Sequence, residues 1–288
     1  MYAQSFEYYR AKSVAEAAEL LRTKRDAKLL AGGHSLLPAM KLRVAGPEAL
    51  VDIGRIAELR GIEATGDGLS IGALTTHAEI AASADVRKAC PLLAFTAAQI
   101  GDLQVRNRGT IGGSIAHADP AADLPTALLV LGAKVTASDG KSTREIAAAD
   151  FFVDIFTTAL REGEIVTRIS VPGGGAGTGG AYLKHRHPAS SYAVVSVAAL
   201  VELDGGKCAR VAVAIGGVTT RPVRATTVEK ALAGQAPGEA AFAAAADKAR
   251  DAIREPLSDL YASGEYRTHL AVVMTRRALA LAAQRARG

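Results

Sequence analysis

Gln104-Val-Arg-Asn-Arg-Gly-Thr-Ile-Gly-Gly-Ser-Ile-Ala-His-Ala-Asp-Pro-Ala-Ala-Asp-Leu-Pro125 is the stretch on which the reading of this chain turns. Paired glycines, Gly112 and Gly113, are flanked by the hydroxyls of Thr110 and Ser114, and small residues continue to Asp123. A simple turn needs no such run. It suits backbone packed closely against an extended ligand, where side chains would stand in the way. Asp119 and Asp123 each have a plainer reading as helix caps.

A second stretch of similar make-up lies upstream, at Ala31-Gly-Gly-His-Ser-Leu-Leu-Pro38. It follows a short apolar run, Lys28–Ala31, that reads as a buried strand. Two adjacent glycines allow a sharp turn that presents N–H groups at short range, as an anion such as a pyrophosphate requires. One such turn is weak evidence. Two of them, both with hydroxyls, point to a ligand long enough to touch both.

The remaining motifs set the frame. Ser13-Val-Ala-Glu16 and Thr76-His-Ala-Glu79 are capping boxes that open helices, and Pro91 suits the first turn of another reaching about Ile100. Leu50–Ile53, Leu69–Ile71, Lys134–Ala137 and Glu164–Val171 read as strands, and Leu124–Leu131 as a helix. Gly173–Gly180 is so rich in glycine that a mobile linker is expected. Beyond it, Ala181–His185, Ala193–Leu203 and Arg210–Ile215 read as three strands, followed by helices over Glu239–Ile253 and His269–Arg285. The chain is thus α+β, with residues 1–172 as one unit and 173–288 as a smaller sheet-plus-helices unit.

Several function classes fall away. The net charge is +5 over 288 residues, but the basic residues are scattered, which disfavours nucleic-acid binding. The two cysteines are far apart and form no metal or disulfide pattern. His185 and His187 share a strand face without a third ligand, so no metal site is expected. Gly175, Gly177 and Gly180 spell G-x-G-x-x-G, yet a strand-like run follows where the dinucleotide fingerprint needs a helix. Ser35 lies outside a G-x-S-x-G elbow and beside His34, which argues against a hydrolase. No run has signal-peptide or membrane-spanning character, so the cytoplasm is the expected compartment.

The two glycine stretches, together with Met40-Lys-Leu-Arg43, Phe6-Glu-Tyr-Tyr-Arg-Ala11, Val51-Asp-Ile53 and Gly216-Gly-Val218, resemble the medium subunits of the carbon monoxide dehydrogenase family, flavoproteins of the xanthine dehydrogenase superfamily. The resemblance covers essentially the whole chain. It implies a vanillyl-alcohol-oxidase-type (PCMH-type) FAD-binding domain of two α+β subdomains, then a C-terminal three-stranded sheet with helices. By the same resemblance, Ala31, Gly32, Gly33, His34, Ser35 and Leu36 would wrap the pyrophosphate. Thr110, Ile111, Gly112, Gly113 and Ser114 would line the pyrophosphate and ribityl region. Asp123 would hydrogen-bond the cofactor, with Ile100 and Val166 apolar neighbours of the adenine. Lys184 would stand near the flavin ring and Tyr192 would approach its face. His34 stands where much of the family has Gln, and Leu103 where Pro is frequent.

The family role is electron transfer, with no catalytic residue in this chain. A large molybdenum-cofactor subunit and a small subunit with two [2Fe–2S] clusters are the implied partners, as a dimer of heterotrimers. The substrate then belongs to the large subunit, so carbon monoxide, an aldehyde, a purine and an N-heterocycle are all compatible. Two other readings compete: a free-standing flavin oxidoreductase of the same fold, and a non-enzymatic nucleotide-binding module.

Overall fold

The computed structural model describes residues 2–288. The chain starts with a small parallel sheet. Glu7–Arg10 and Ala27–Leu30 both pair with Ala49–Asp52, which lies between them. Ala49, Leu50 and Val51 are buried, as a central parallel strand covered on both faces must be. The helix Val14–Thr23, opened by Ser13 accepting from the Glu16 amide, lays Val14, Ala17 and Ala18 onto this sheet.

A five-stranded antiparallel sheet follows, in the order Ile62–Thr65, Gly68–Gly72, Ile165–Pro172, Lys134–Ser138, Thr143–Ala147. Between its second strand and Lys134 the chain leaves the sheet as a run of six helices. The Thr76/Glu79 capping box is formed and opens the helix His77–Ala82. The last of the six, Asp123–Leu131, is buried along its whole length. It has no solvent face because it lies between this part of the chain and the C-terminal sheet: Leu124 and Leu128 share one core with Ala198, Leu200, Ala212 and Ala214.

That C-terminal sheet is antiparallel, Thr178–Arg186, Ala193–Asp204, Lys207–Gly216, Val223–Arg224. A two-residue fourth strand thus extends the three expected. Val197, Ala199, Val201, Val213 and Ile215 face away from Asp123–Leu131 and pack with Ala271, Ala278 and Leu279 of the long helix Gly264–Ala286. Residues 193–201 are therefore buried on both faces, which explains why all but Ser196 are apolar.

Three local expectations change. The stretch after Gly109 is a helix, Ile111–His117, and not a turn. Gly173–Gly180 is tied down and not mobile. The Gly173 and Gly174 amides donate to the carbonyls of Asp67 and Ala89, and the strand has begun by Thr178. A Cβ on Gly179 would overlap the backbone of the C-terminal helix at Ala282 and Ala286, so glycine serves close approach there. The helix expected over Glu239–Ile253 stops at Ala246 and continues as a 3-10 turn, Asp247–Ala252, where Thr227 donates to the Lys248 carbonyl.

Candidate cofactor site

The first glycine turn leaves the end of Ala27–Leu30 and reverses at Gly33, whose φ of +77° is a left-handed conformation. The backbone N–H groups of residues 32–36 donate to no acceptor among the described residues. Only at Leu37 does an amide find a partner, the Gly33 carbonyl, as the helix Leu36–Lys41 begins. Five consecutive unsatisfied donors on a half-exposed turn form a concavity that favours an anion. Ser35 makes no side-chain cap to that helix, and Tyr192 stands near it. His34 turns its Nδ1 toward the Gly32 carbonyl, 3.2 Å away, and its side chain is exposed.

The second stretch behaves differently. Thr110 caps its helix by accepting from the Gly113 amide at 3.1 Å. The Ile111 and Gly112 amides donate to the carbonyls of Thr75 (3.0 Å) and Ala73 (2.8 Å), and that of Ser114 to Thr110. These amides are consumed by the fold, so free N–H groups, expected of both turns, are found in the first alone. Gly112 is glycine because a Cβ would run into Ala73 at 2.5–2.9 Å. What the second stretch adds is a wall: Ile111 is core, while Gly113 and the Ser114 side chain are half-buried at the rim.

The two stretches touch. A Cβ on Gly32 would collide with the Arg108 carbonyl, and one on Gly113 would come within 3.8 Å of the Ala31 Cβ. Sequence alone suggested one ligand spanning both; the structure places them side by side. His77, which sequence reasoning passed over except as a cap position, packs under this junction. Its ring edge lies where a Gly109 Cβ would be, and its amide donates to the Gly109 carbonyl at 3.0 Å. The His77 side chain is buried, and its Nδ1 has no partner. Burial, with the Arg106 guanidinium nearby, pushes its pKa down to about 4, so the ring is neutral.

The far end of the site is charged. Asp123 is the first residue of the helix Asp123–Leu131, and its carboxylate goes elsewhere than to a cap. Lys184 Nζ donates to both oxygens, at 2.8 and 3.0 Å, and to the Gln99 carbonyl at 3.0 Å. The Tyr182 hydroxyl donates to Oδ1. Tyr182 and Lys184 are two apart on the strand Thr178–Arg186 and so share its inner face. Burial raises the Asp123 pKa, opposed by Lys184, Tyr182 and Arg186. Burial lowers that of Lys184, opposed by Asp123. Tyr182 was missed because a strand Tyr in an apolar run reads as core. The one available signal was its period-two spacing from Lys184.

The other expected residues divide. Tyr192 is 43% exposed and borders the first turn through Ser35, with Asp119 also near its hydroxyl. Ile100 is half-buried and packs against the central core, and its carbonyl accepts from Arg106 at 2.9 Å. Val166 is buried in that core beside a β-bulge, so its side chain backs the site from within. Among the described residues, no group of three or more His, Cys, Asp or Glu is placed to hold a metal ion. Nor, among the described residues, is any helix long and apolar enough to cross a membrane. An elongated dinucleotide fits this donor set: free amides for a diphosphate at the first turn, a glycine-lined wall beside it, and a charged, aromatic end at Tyr192, Lys184 and Asp123.

Comparison with known families and structures agrees. Residues 4–174 match the FAD binding domain in molybdopterin dehydrogenase, and residues 180–282 the CO dehydrogenase flavoprotein C-terminal domain. The chain is 42% identical to the carbon monoxide dehydrogenase medium chain of Hydrogenophaga pseudoflava, over 95% of this chain and 96% of that one. It is 40% identical to the glyceraldehyde dehydrogenase medium chain of Sulfolobus acidocaldarius, over 96% and 98%. A solved carbon monoxide dehydrogenase from H. pseudoflava, lacking the Mo-pyranopterin moiety of its molybdenum cofactor, superposes with a TM-score of 0.96 at 43% identity, covering 99% of both chains. The two glycine stretches, the charged pair at their far end and these full-length matches have one explanation: the chain belongs to the FAD-binding medium subunits of carbon monoxide and xanthine dehydrogenase-type molybdenum hydroxylases, and FAD is its cofactor.

Proposed function

We propose that this chain is the electron-transferring subunit of a three-subunit molybdenum hydroxylase. It takes electrons from the iron–sulfur clusters of a small subunit and passes them to an external acceptor, while a large molybdenum-bearing subunit carries out the substrate chemistry. Two such heterotrimers form the complete cytoplasmic assembly. In support, the chain is matched over nearly its full length by relatives that are themselves named medium chains. Those relatives serve carbon monoxide and glyceraldehyde dehydrogenases at almost equal identity, so the substrate is set outside this chain.

The observation that carries the reading is the turn of free amides at residues 32–36. A diphosphate brings two negative charges whose hydration must be replaced on burial. Hydrogen bonds to charged groups contribute about 1.5–3 kcal/mol each, so several of these donors together hold the cofactor without a covalent link. In this assignment Ala31 to Leu36 cradle the diphosphate. Thr110 to Ser114 form the wall beside it, with the Ser114 hydroxyl as its free donor. Tyr192 covers the flavin ring and excludes water there. Asp123 and Lys184 fix its polar edge, and Ile100 and Val166 give the apolar backing near the adenine. Residues 1–172 are the FAD-binding domain and 173–288 the domain that completes the site. When bound, FAD supplies the exchange between one-electron and two-electron carriers.

The test is reduction of FAD in the reconstituted chain by a reduced iron–sulfur subunit, compared with reduction by organic substrates alone. Rapid reduction only in the presence of the iron–sulfur subunit is expected. Turnover of a small organic substrate by the isolated chain would instead establish the free-standing oxidoreductase.

A further inference from the structure

Asp123 is the end of a buried file of hydroxyls that nothing in the cofactor assignment uses. Thr126 Oγ1 and Ser196 Oγ are 3.3 Å apart, one on the helix Asp123–Leu131 and the other on the strand Ala193–Asp204. The Ser196 hydroxyl lies beside the Tyr182 phenol, and that phenol donates to Asp123. Thr126, Ser196 and Tyr182 are all 0% exposed. Gly216 makes room for the file, since a Cβ there would overlap the Thr126 hydroxyl and press on that of Ser196.

Packing alone does not call for these groups. Their neighbours are Leu124, Leu128, Ala198, Leu200, Ala212 and Ala214, a setting in which Phe would serve as well as Tyr at 182. A buried hydroxyl is costly unless bonded, and here Thr126 and Ser196 satisfy each other while Tyr182 bonds Asp123. The Tyr182 hydroxyl points its dipole at the carboxylate, and the Ser196 and Thr126 hydroxyls beside it keep the surroundings of that phenol polar. The same carboxylate holds Lys184 on its other side.

We infer that Tyr182 is a positioning residue for the flavin: its hydroxyl, backed by Ser196 and Thr126, keeps Asp123 ionised and fixed, and Asp123 thereby holds the Lys184 ammonium in place at the cofactor. The inference rests on the assignment of the flavin ring to this end of the site. The charged and titratable groups around Asp123 are Tyr182, Lys184 and Arg186 on one strand, Tyr192 after the turn, and Asp119 beyond it. Removing the phenol withdraws a donor to the charged form and raises the proton affinity of Asp123.

The experiment compares Tyr182→Phe, Ser196→Ala and Thr126→Val in the full-length chain, with and without FAD. In the flavin-free protein, the infrared carbonyl band of protonated Asp123, assigned with Asp123→Asn, is followed against pH. Its midpoint is expected to rise by about one pH unit or more in Tyr182→Phe, a tenfold change in proton affinity. The rise should be smaller in Ser196→Ala and least in Thr126→Val. In the loaded protein, FAD content is expected to stay at the wild-type level while the pH profile of the flavin midpoint potential moves in the same order. An unchanged carbonyl midpoint in Tyr182→Phe, with only a lower melting temperature, overturns the inference and leaves a structural role. Should that variant not fold, an unchanged midpoint in Ser196→Ala does the same. A wild-type chain that binds no FAD would refute the cofactor assignment instead, and the flavin-free titration tells the two failures apart.

Discussion

Lys184 is held so tightly by Asp123 and Gln99 that its charge cannot be considered alone. Lys184→Met leaves a buried carboxylate without its cation, and breaking such a pair typically costs about 3–5 kcal/mol. The double variant Lys184→Met/Asp123→Asn removes both charges and is expected to recover most of that loss. Thermal melts of the flavin-free proteins measure it; equal melting temperatures for single and double variants would show that the two groups are not coupled. A shift of flavin potential in Lys184→Met alone therefore reports the freed carboxylate as well as the lost ammonium. His77 gives a second expectation at this scale. Its pKa is lowered from 6.5 to about 4 in the folded chain, so between those values the unfolded chain binds the extra proton. Its contribution, about 3 kcal/mol by the usual conversion, is present above pH 6.5 and lost as the pH falls toward 4. His77→Gln should flatten the decline of stability across that window; an identical decline in variant and wild type would remove His77 as its source.

At the scale of elements, the two glycine stretches look alike in sequence and do different work. Gly33→Ala places a side chain at a φ of +77° and disturbs the row of free amides. It is expected to lower FAD content sharply while costing about 1–2 kcal/mol of stability. Thr110→Ala removes a helix cap whose loss typically costs about 0.5–2 kcal/mol, and FAD content should then fall far less. Flavin absorbance set against melting temperature separates the two; equal loss of flavin in both would mean that the second stretch contributes donors after all. The sequence showed where backbone approaches a ligand, because paired glycines and hydroxyls mark close packing. It could not show which amides were already taken, because the acceptors for Ile111 and Gly112 are carbonyls of Thr75 and Ala73, some forty residues earlier in the chain. Most strands were legible from apolar runs, as at Leu69–Ile71 and Ala193–Leu203. The edge strand Thr143–Ala147 was not, since Thr143, Arg144 and Glu145 are polar and its partner is set by tertiary pairing. The glycine run at 173–180 misled for a related reason: Gly179 reflects the nearness of the helix Gly264–Ala286, and Gly180 that of Leu92, which local composition cannot reveal.

For the whole molecule, the helix Asp123–Leu131 and the hydroxyl file behind it join the two parts of the chain through one continuous core. Heating the flavin-free chain is therefore expected to give a single calorimetric transition. Leu128→Ala, in the middle of that contact, should lower stability by about 2–5 kcal/mol without splitting the peak. Two resolved transitions in the wild type would show that the parts unfold independently. The order in which the pieces are made has a further consequence. Residues 193–201 are covered on one face only once Gly264–Ala286 has been synthesised. At a ribosomal pace of ~5–20 residues per second, a bare, sticky ribbon trails from the nascent chain for several seconds. Biogenesis of this subunit should therefore depend on chaperones that shield it, and translation stalled short of the last helix should send the product into inclusion bodies.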